Sequence, residues 1–481
     1  MSAPRLLDSL PASVELAAGS GKTWTVADTV RNIAEEGGRA LVLTHTVAGV
    51  HAMSSKLREF GIAPDSYHVA TLTSFAIELA NAYSVHAGFD VPEVVDLSRA
   101  EEYIKGAIAV LQRHHIREVF ALSYTHMLVD EYQDCSTTQH ALVQALRTSI
   151  PQTAVFGDRL QGIFGFADPI VDWAVDVAPA FPDFPMDEIP RRWHGHNEEL
   201  GEWLLAVRPR LVAGNVLDLS SGLPSGVTFR TKTPAGFELI NAARERRGVG
   251  ETVVVITAPH LNSVRAVAAR LPGYHAMEEL GGSFMVSRLA ALADADPSGY
   301  ASWLVSAAKD CFTGYGKLDK GVLGRVAKGQ PVATLKRPSL ERTLAAIDLV
   351  QASPELSVLA VAMDEIHRAR EGQLHSREAW RDMSTVIERC ALDPAREMPA
   401  ELARVRERVR HGGRGRNLRE VSRTVLIKGL EYDHVIIANI ADISDACNLY
   451  VALSRARKSV TIIGPSPRVA IKETPRGRRS P

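Results

Sequence analysis

Ala17-Ala18-Gly19-Ser20-Gly21-Lys22-Thr23 follows a short apolar run, Val14-Glu15-Leu16, and precedes a stretch with helical periodicity. Glycines let a backbone wrap phosphate oxygens with its N–H groups, and a helix starting there adds a favourable dipole. In such a loop Lys22 reaches the β- and γ-phosphates and the Thr23 hydroxyl holds Mg²⁺. The strict pattern wants glycine six residues before the lysine, and here that place is Leu16. A glycine turn before a surface lysine has the same letters. The strand–loop–helix setting favours the phosphate loop, with Gly19, Ser20, Gly21, Lys22 and Thr23 as its nucleotide-binding residues.

Outward from the loop, Ala40-Leu41-Val42-Leu43-Thr44, Met127-Leu128-Val129-Asp130 and Ala154-Val155-Phe156-Gly157-Asp158 are further apolar runs, the last two ending in acid. Such runs alternating with helical patterns (47–60 is one) indicate an α/β fold with a parallel sheet buried on both faces. A second region of this kind begins with Thr252-Val253-Val254-Val255-Ile256 and resumes at His434–Ala438 and Val460–Gly464. The expected division is a first core at 1–84 and 123–200, interrupted by a small helical insertion at 85–122. A second core spans 201–274 and 411–464, interrupted by a helical insertion at 275–410, and a Pro/Arg-rich disordered tail covers 465–481.

The chain has 481 residues, 46% hydrophobic and 23% charged, which is globular rather than disordered composition. At roughly 150 residues per domain that is about three domains. No run reaches the ~18 apolar residues of a membrane helix. The first residues carry Arg5, Asp8 and Glu15 and do not read as a secretory signal. Cys135, Cys311, Cys390 and Cys447 are scattered, without zinc or disulfide spacing, so a reducing cytoplasm is expected. Fifty-five Lys and Arg against 56 Asp and Glu leave a net charge of −1, which by itself gives no hint of nucleic acid.

Asp130-Glu131-Tyr132-Gln133-Asp134 follows one of the apolar runs. A carboxylate at a strand end beside a phosphate loop can hold the water shell of Mg²⁺, and its neighbour can polarise an attacking water. Asp130 takes the first role and Glu131 the second. An acidic helix start would show the same letters.

Together these motifs resemble the UvrD/Rep type of superfamily I DNA helicases. Phe156-Gly157-Asp158-Arg159-Leu160-Gln161-Gly162-Ile163-Phe164-Gly165-Phe166, then Lys428-Gly429-Leu430-Glu431-Tyr432-Asp433-His434-Val435, then Leu449-Tyr450-Val451-Ala452-Leu453-Ser454-Arg455-Ala456-Arg457, continue the match in the family's order. Leu41–Thr46 and Ala70–Phe75 resemble two further motifs. The resemblance implies two RecA-like parallel-sheet cores of the P-loop NTPase type, with ATP between them and single-stranded DNA across their top. It implies that Lys22 and Thr23 bind phosphate and Mg²⁺, Asp130 supports the metal and Glu131 activates water. Gln161 then senses the γ-phosphate, and Arg455 acts as the arginine finger. Arg192, in Pro190-Arg191-Arg192-Trp193, is the other family arginine, with Arg191 as the alternative. Gly429 and Glu431 fall at the nucleotide, Glu431 on the ribose.

For the DNA track, Phe164 and Phe166 stand where the family stacks aromatics on bases, a contact worth ~1–3 kcal/mol per base without sequence readout. A buried strand edge shows the same spacing. Thr44, His45, Thr71 and Ser74 suit contacts to the DNA backbone, and each equally suits a strand end or helix cap. Seven arginines lie between Arg404 and Arg419, with Gly412, Gly413 and Gly415 among them. The stretch reads either as a basic hinge beside a DNA channel or as a solvated arginine helix and linker.

Three departures set the chain apart. Leu6–Val14 holds neither Asn nor Gln, so the family's adenine reader is missing and nucleotide selectivity is open. Thr424-Val425-Leu426-Ile427 lacks the histidine that helps hold DNA. The insertions are shorter than the family's, which makes strand separation less secure than ATP hydrolysis. In size and layout the chain is also similar to the helicase-like subunit of the two-gene anti-phage system Gabija, which works with a nuclease. The leading expectation is therefore an Mg²⁺/ATP-driven 3′–5′ translocase or helicase on single-stranded or forked and tailed duplex DNA, in repair or antiviral defence. The alternative is a nucleotide- or DNA-sensing subunit that regulates a partner nuclease. No separate nuclease cluster of acids is legible.

Overall fold

Short, largely buried runs build the first sheet. In the computed structural model, which describes residues 5–92, 95, 99–163, 169–234, 236–278, 282–412 and 417–472, the chain divides into two units. Unit 1 is Met1–Val227, Ser444–Ser459 and Arg468–Pro481; unit 2 is Thr228–Ile443 and Val460–Pro467. Phe164, Phe166, Arg414, Arg416 and the tail from residue 473 lie outside the described residues.

Unit 1 carries strands β1 (Ala12–Glu15), β2 (Ala40–Thr44), β3 (Tyr67–Thr71), β4 (His126–Val129) and β5 (Gln152–Gly157), in spatial order β1-β5-β4-β2-β3. All neighbours pair in parallel. Every residue of β2 is buried, as expected for a central parallel strand covered on both faces. Helices α1 (Lys22–Glu35) and α2 (Val47–Glu59) pack Val26, Val30, Met53 and Leu57 against Val14, Val42 and Phe156. Helices α3 (Leu72–Ala82) and α4 (Thr137–Arg147) contribute Phe75, Leu142 and Val143 to a core shared with Leu41, Leu43 and Val129. Both begin with capping boxes, Thr71 with Ser74 and Ser136 with Gln139, so their starts are set by side chains that satisfy orphan N–H groups. The small insertion, with helices Ala100–Leu111 and His114–Ser123, joins the same core through Ile104, Val110 and Ile116. Unit 1 is completed by α5 (Glu198–Val212) and α6 (Ala446–Ser454). Arg468 and Val469, within the tail expected to be disordered, pair antiparallel with Asp218 and Leu217.

A parallel sheet brings all its carboxyl ends to one edge, and that edge is where ligands bind in open α/β sheets. Here Leu16 follows β1, His45 follows β2, Asp130 follows β4 and Asp158 follows β5.

Unit 2 has a six-stranded sheet. Its strands are β6 (Val227–Thr231), β7 (Val253–Ile256), β8 (His275–Ala276), β9 (Arg419–Ser422), β10 (Tyr432–Ile437) and β11 (Ala456–Gly464), in spatial order β6-β11-β10-β7-β9-β8. The pairs β10–β7, β9–β7 and β9–β8 run parallel. Between β8 and β9 the chain is mainly helical and forms its own core around Leu304, Ile347, Met363 and Ile387. Among the described residues no helix is long and apolar enough to cross a membrane.

Candidate active site

The phosphate loop turns on two glycines in the left-handed region, Gly19 at φ +76° and Gly21 at φ +93°. Each is also hemmed in. A Cβ on Gly19 would stand 2.8 Å from the Arg192 Cβ and the Trp193 ring, and one on Gly21 would stand 2.8 Å from the Arg191 Cδ. Glycine is thus required for conformation and for space. Two loop N–H groups are held by side chains. Ala17 donates to Glu188 Oε1 at 2.8 Å, and Ala18 donates to the Tyr450 hydroxyl at 3.0 Å. Burial, then the nearby Asp158 charge, pushes the Tyr450 hydroxyl up, so it stays neutral. The Ser20 hydroxyl is buried without a hydrogen-bond partner. Helix α1 starts at Lys22, directly behind Gly21.

Lys22 is buried, and its ammonium lies 3.1 Å from Glu131 Oε1. Burial opposes its charge, but Glu131, Asp130 and Asp158 outweigh that and hold its pKa above the ordinary lysine value. Asp130 is pushed up to about 6, by burial and then by the Glu131 charge. Its Oδ1 accepts the Glu131 N–H at 2.9 Å. Glu131 itself sits at φ +55°, a conformation non-glycine residues rarely adopt and one that clusters at functional sites. Gln133 donates to Glu131 Oε2 and accepts the Asp158 N–H at 2.9 Å, so one amide ties the end of β4 to the end of β5.

Asp158 is fully buried and carries three donors. Leu160 N–H and Arg208 Nη2 reach Oδ1 at 3.1 and 2.9 Å, and Gln161 Nε2 reaches Oδ2 at 3.0 Å. The other face of the Gln161 amide, Oε1, accepts from Arg455 Nη2 at 3.2 Å. Arg455 is 1% exposed and is braced by Val451 O and Ser454 Oγ, so a solvated helix charge does not describe it. Arg192 donates to the Ser454 carbonyl and Trp193 to the Ala456 carbonyl at 2.7 Å. Arg191 instead lies over the Trp24 indole, 4.9 Å from the ring centroid. Both arginines line the loop, Arg192 at Gly19 and Arg191 at Gly21.

The residues expected at DNA are more dispersed. Thr44 is buried at the end of β2. The Thr71 hydroxyl accepts the Ser74 N–H at 2.9 Å as the cap of α3. His45 Nε2 lies 3.4 Å from Cys135 Sγ. Gly429, at φ +81°, and Glu431 precede β10 in unit 2. The basic stretch is neither a solvated helix nor a hinge at Arg406, which is 3% exposed and paired with Asp382 at 2.8 Å and Glu378 at 3.3 Å. Arg404 pairs with Glu401.

The residues of the loop and the two strand ends fit a Mg²⁺–nucleotide. The orphaned Ser20 hydroxyl, the glycine backbone and Lys22 suit phosphate oxygens, and Thr23 with Asp130 offers hard oxygen donors. Among the described residues no three His, Cys, Asp or Glu side chains form a self-sufficient metal cage. Such a donor set suits Mg²⁺, which retains waters and takes substrate phosphates. Sequence reasoning missed Gln133, Glu188, Arg208 and Tyr450. Gln133 and Tyr450 stand inside quoted motifs, while Glu188 and Arg208 have no local signal.

Residues 97–172 match the family model of the UvrD/REP helicase N-terminal domain, a stretch that includes Asp130, Glu131, Asp158 and Gln161. No curated protein matches the sequence. A crystal structure of Pif1 helicase from Candida albicans is similar at 11% identity and a TM-score of 0.31, covering 55% of this chain. The chain spans about half the length, 51%, of that solved structure. The match spans 76 of the 481 residues, so the likeness to that helicase domain is shown for this segment.

Proposed function

We propose that the chain is an Mg²⁺/ATP-dependent translocase on single-stranded DNA, moving 3′ to 5′. The observation that carries this is the gathering of Lys22, Asp130, Glu131, Asp158, Gln161 and Arg455 in one hydrogen-bonded and ion-paired set at the carboxyl edge of the first sheet. In this reading the loop N–H groups and Lys22 hold the phosphates, and Thr23 and Asp130 hold Mg²⁺. Bound Mg²⁺ supplies charge neutralisation at the phosphoryl oxygens. Glu131, oriented by Gln133, accepts the proton of the attacking water. Phosphate competes with Glu131 for Lys22, which frees the carboxylate for that work. Gln161 and Arg455 face the charge that grows on the transferred group, where a finger is worth ~10³–10⁵ in rate. The test is steady-state ATP turnover. Lys22→Ala should lower it at least a hundredfold, and unchanged turnover would refute the site.

A second reading, a nucleotide- or DNA-sensing subunit for a partner nuclease, draws on the segment 424–427. It is a short helix whose one polar residue, Thr424, is buried, where the family offers a histidine to DNA. A forked-duplex assay separates the two: robust unwinding by the isolated chain argues against the sensor.

A further inference from the structure

Arg208 belongs to none of the motifs, yet its guanidinium is fixed on the acids behind the phosphate loop. It stands on α5 with 14% of its side chain exposed, donating to Glu15 and to Asp158 Oδ1. Glu15 ends β1 and Asp158 follows β5, at the carboxyl end of the pair, where Glu15 stands opposite Gly157. Both bonds come from one nitrogen, Nη2, whose two N–H groups are held in the guanidinium plane and so point at the two carboxylates in fixed directions.

The consequence reaches Gln161. An ionised carboxylate can only accept hydrogen bonds, whereas an amide has one accepting and one donating end. Asp158 Oδ2 therefore takes the Gln161 NH₂ at 3.0 Å, which leaves Oε1 for Arg455 at 3.2 Å. The flipped amide would set oxygen against carboxylate and NH₂ against guanidinium. We propose that Arg208 is a positioning residue: by anchoring Asp158 it sets the direction of the Gln161 amide and, through it, the place of the Arg455 guanidinium. The inference rests on the hydrolytic reading of the site. It makes a residue 47 positions beyond Gln161 part of the apparatus that answers the γ-phosphate.

Such a residue acts on the transition state more than on nucleotide binding. In the full chain with single-stranded DNA, Arg208→Met should lower kcat at least tenfold and leave KM for ATP within about twofold. Arg208→Lys, which keeps the charge without the planar guanidinium, should fall between Arg208→Met and the unmodified chain. In a Gln161→Ala background Arg208→Met should cost nothing further. Equal changes in kcat and KM, or full additivity with Gln161→Ala, would overturn the assignment. A cycle of melting temperatures decides the matter without activity. Arg208→Met and Gln161→Ala, although their side chains meet only through Asp158, should be non-additive in Tm, and additive once Asp158→Asn is present. Additivity in both backgrounds overturns the inference. Absence of ATP turnover by the unmodified chain would instead refute the proposed function and leave the Tm cycle to judge Arg208. Should Arg208→Met not fold, Arg208→Lys in the same cycle gives the same two outcomes.

Discussion

Gly21 shows how much a single residue settles here. Its φ of +93° costs an L-residue about 1–2 kcal/mol, and an added Cβ meets the Arg191 side chain at 2.8 Å. Gly21→Ala should therefore weaken ATP binding by tenfold or more, read by titration with a fluorescent ATP analogue. Unchanged affinity would mean the loop does not hold phosphate in this conformation. The loop and Asp130-Glu131 could be proposed from the sequence because their pattern is local: turn, donor and acid follow one another in the chain. Gln133, Glu188 and Tyr450 were not legible as site residues. Their partners lie 25, 171 and 432 positions away, and only folding brings them together. Thr71 was open between DNA contact and helix cap, because a hydroxyl before a helix serves either, and its bond to Ser74 shows the cap.

At the scale of elements, the central strands could be read almost to the residue, since burial on both faces demands unbroken apolar runs; the expected 40–44 is β2. The two-residue strand β8 carries no such run and escaped. Charge was the weakest guide. The arginines from 404 to 419 read either as a basic hinge or as a solvated helix, yet Arg406 turns inward and joins the helix Met398–Gly412 to Glu378 and Asp382 on the helix Arg377–Leu392. No pattern of letters distinguishes a buried arginine from its exposed neighbours when the partners lie 24 and 28 residues away. Removing one member of a buried ionic cluster strands the others, at about 3–5 kcal/mol. Arg406→Ala should destabilise unit 2 by that order in urea denaturation, whereas Arg404→Ala, at an exposed end of its pair, should cost far less. Equal small losses for both would contradict the buried assignment.

Across the whole molecule, the balanced charge of −1 hides a strong internal arrangement: acids and arginines pair within each unit. His375 adds a pH dependence to this. It is buried, accepts or donates at Thr313 Oγ1 across 3.3 Å, and burial with the Arg265 and His275 charges lowers its pKa to about 4. The unfolded chain takes up the proton first. The stabilisation from a neutral His375 is thus full above about pH 6.5 and is lost as pH falls towards 4, to a limit of about 3 kcal/mol. His375→Gln should flatten the stability curve over that window, and an unchanged slope would show that His375 is not held neutral. The proposed catalytic groups Lys22, Asp130, Glu131, Gln161 and Arg455 all lie in unit 1, and the proposal is that DNA drives their turnover. The most direct measurement is ATP turnover by the full chain with and without single-stranded oligo(dT), beside Glu131→Gln. DNA should stimulate turnover at least tenfold, and Glu131→Gln should lose turnover with ATP binding retained. Turnover that ignores DNA, or survives Glu131→Gln, would contradict the proposal.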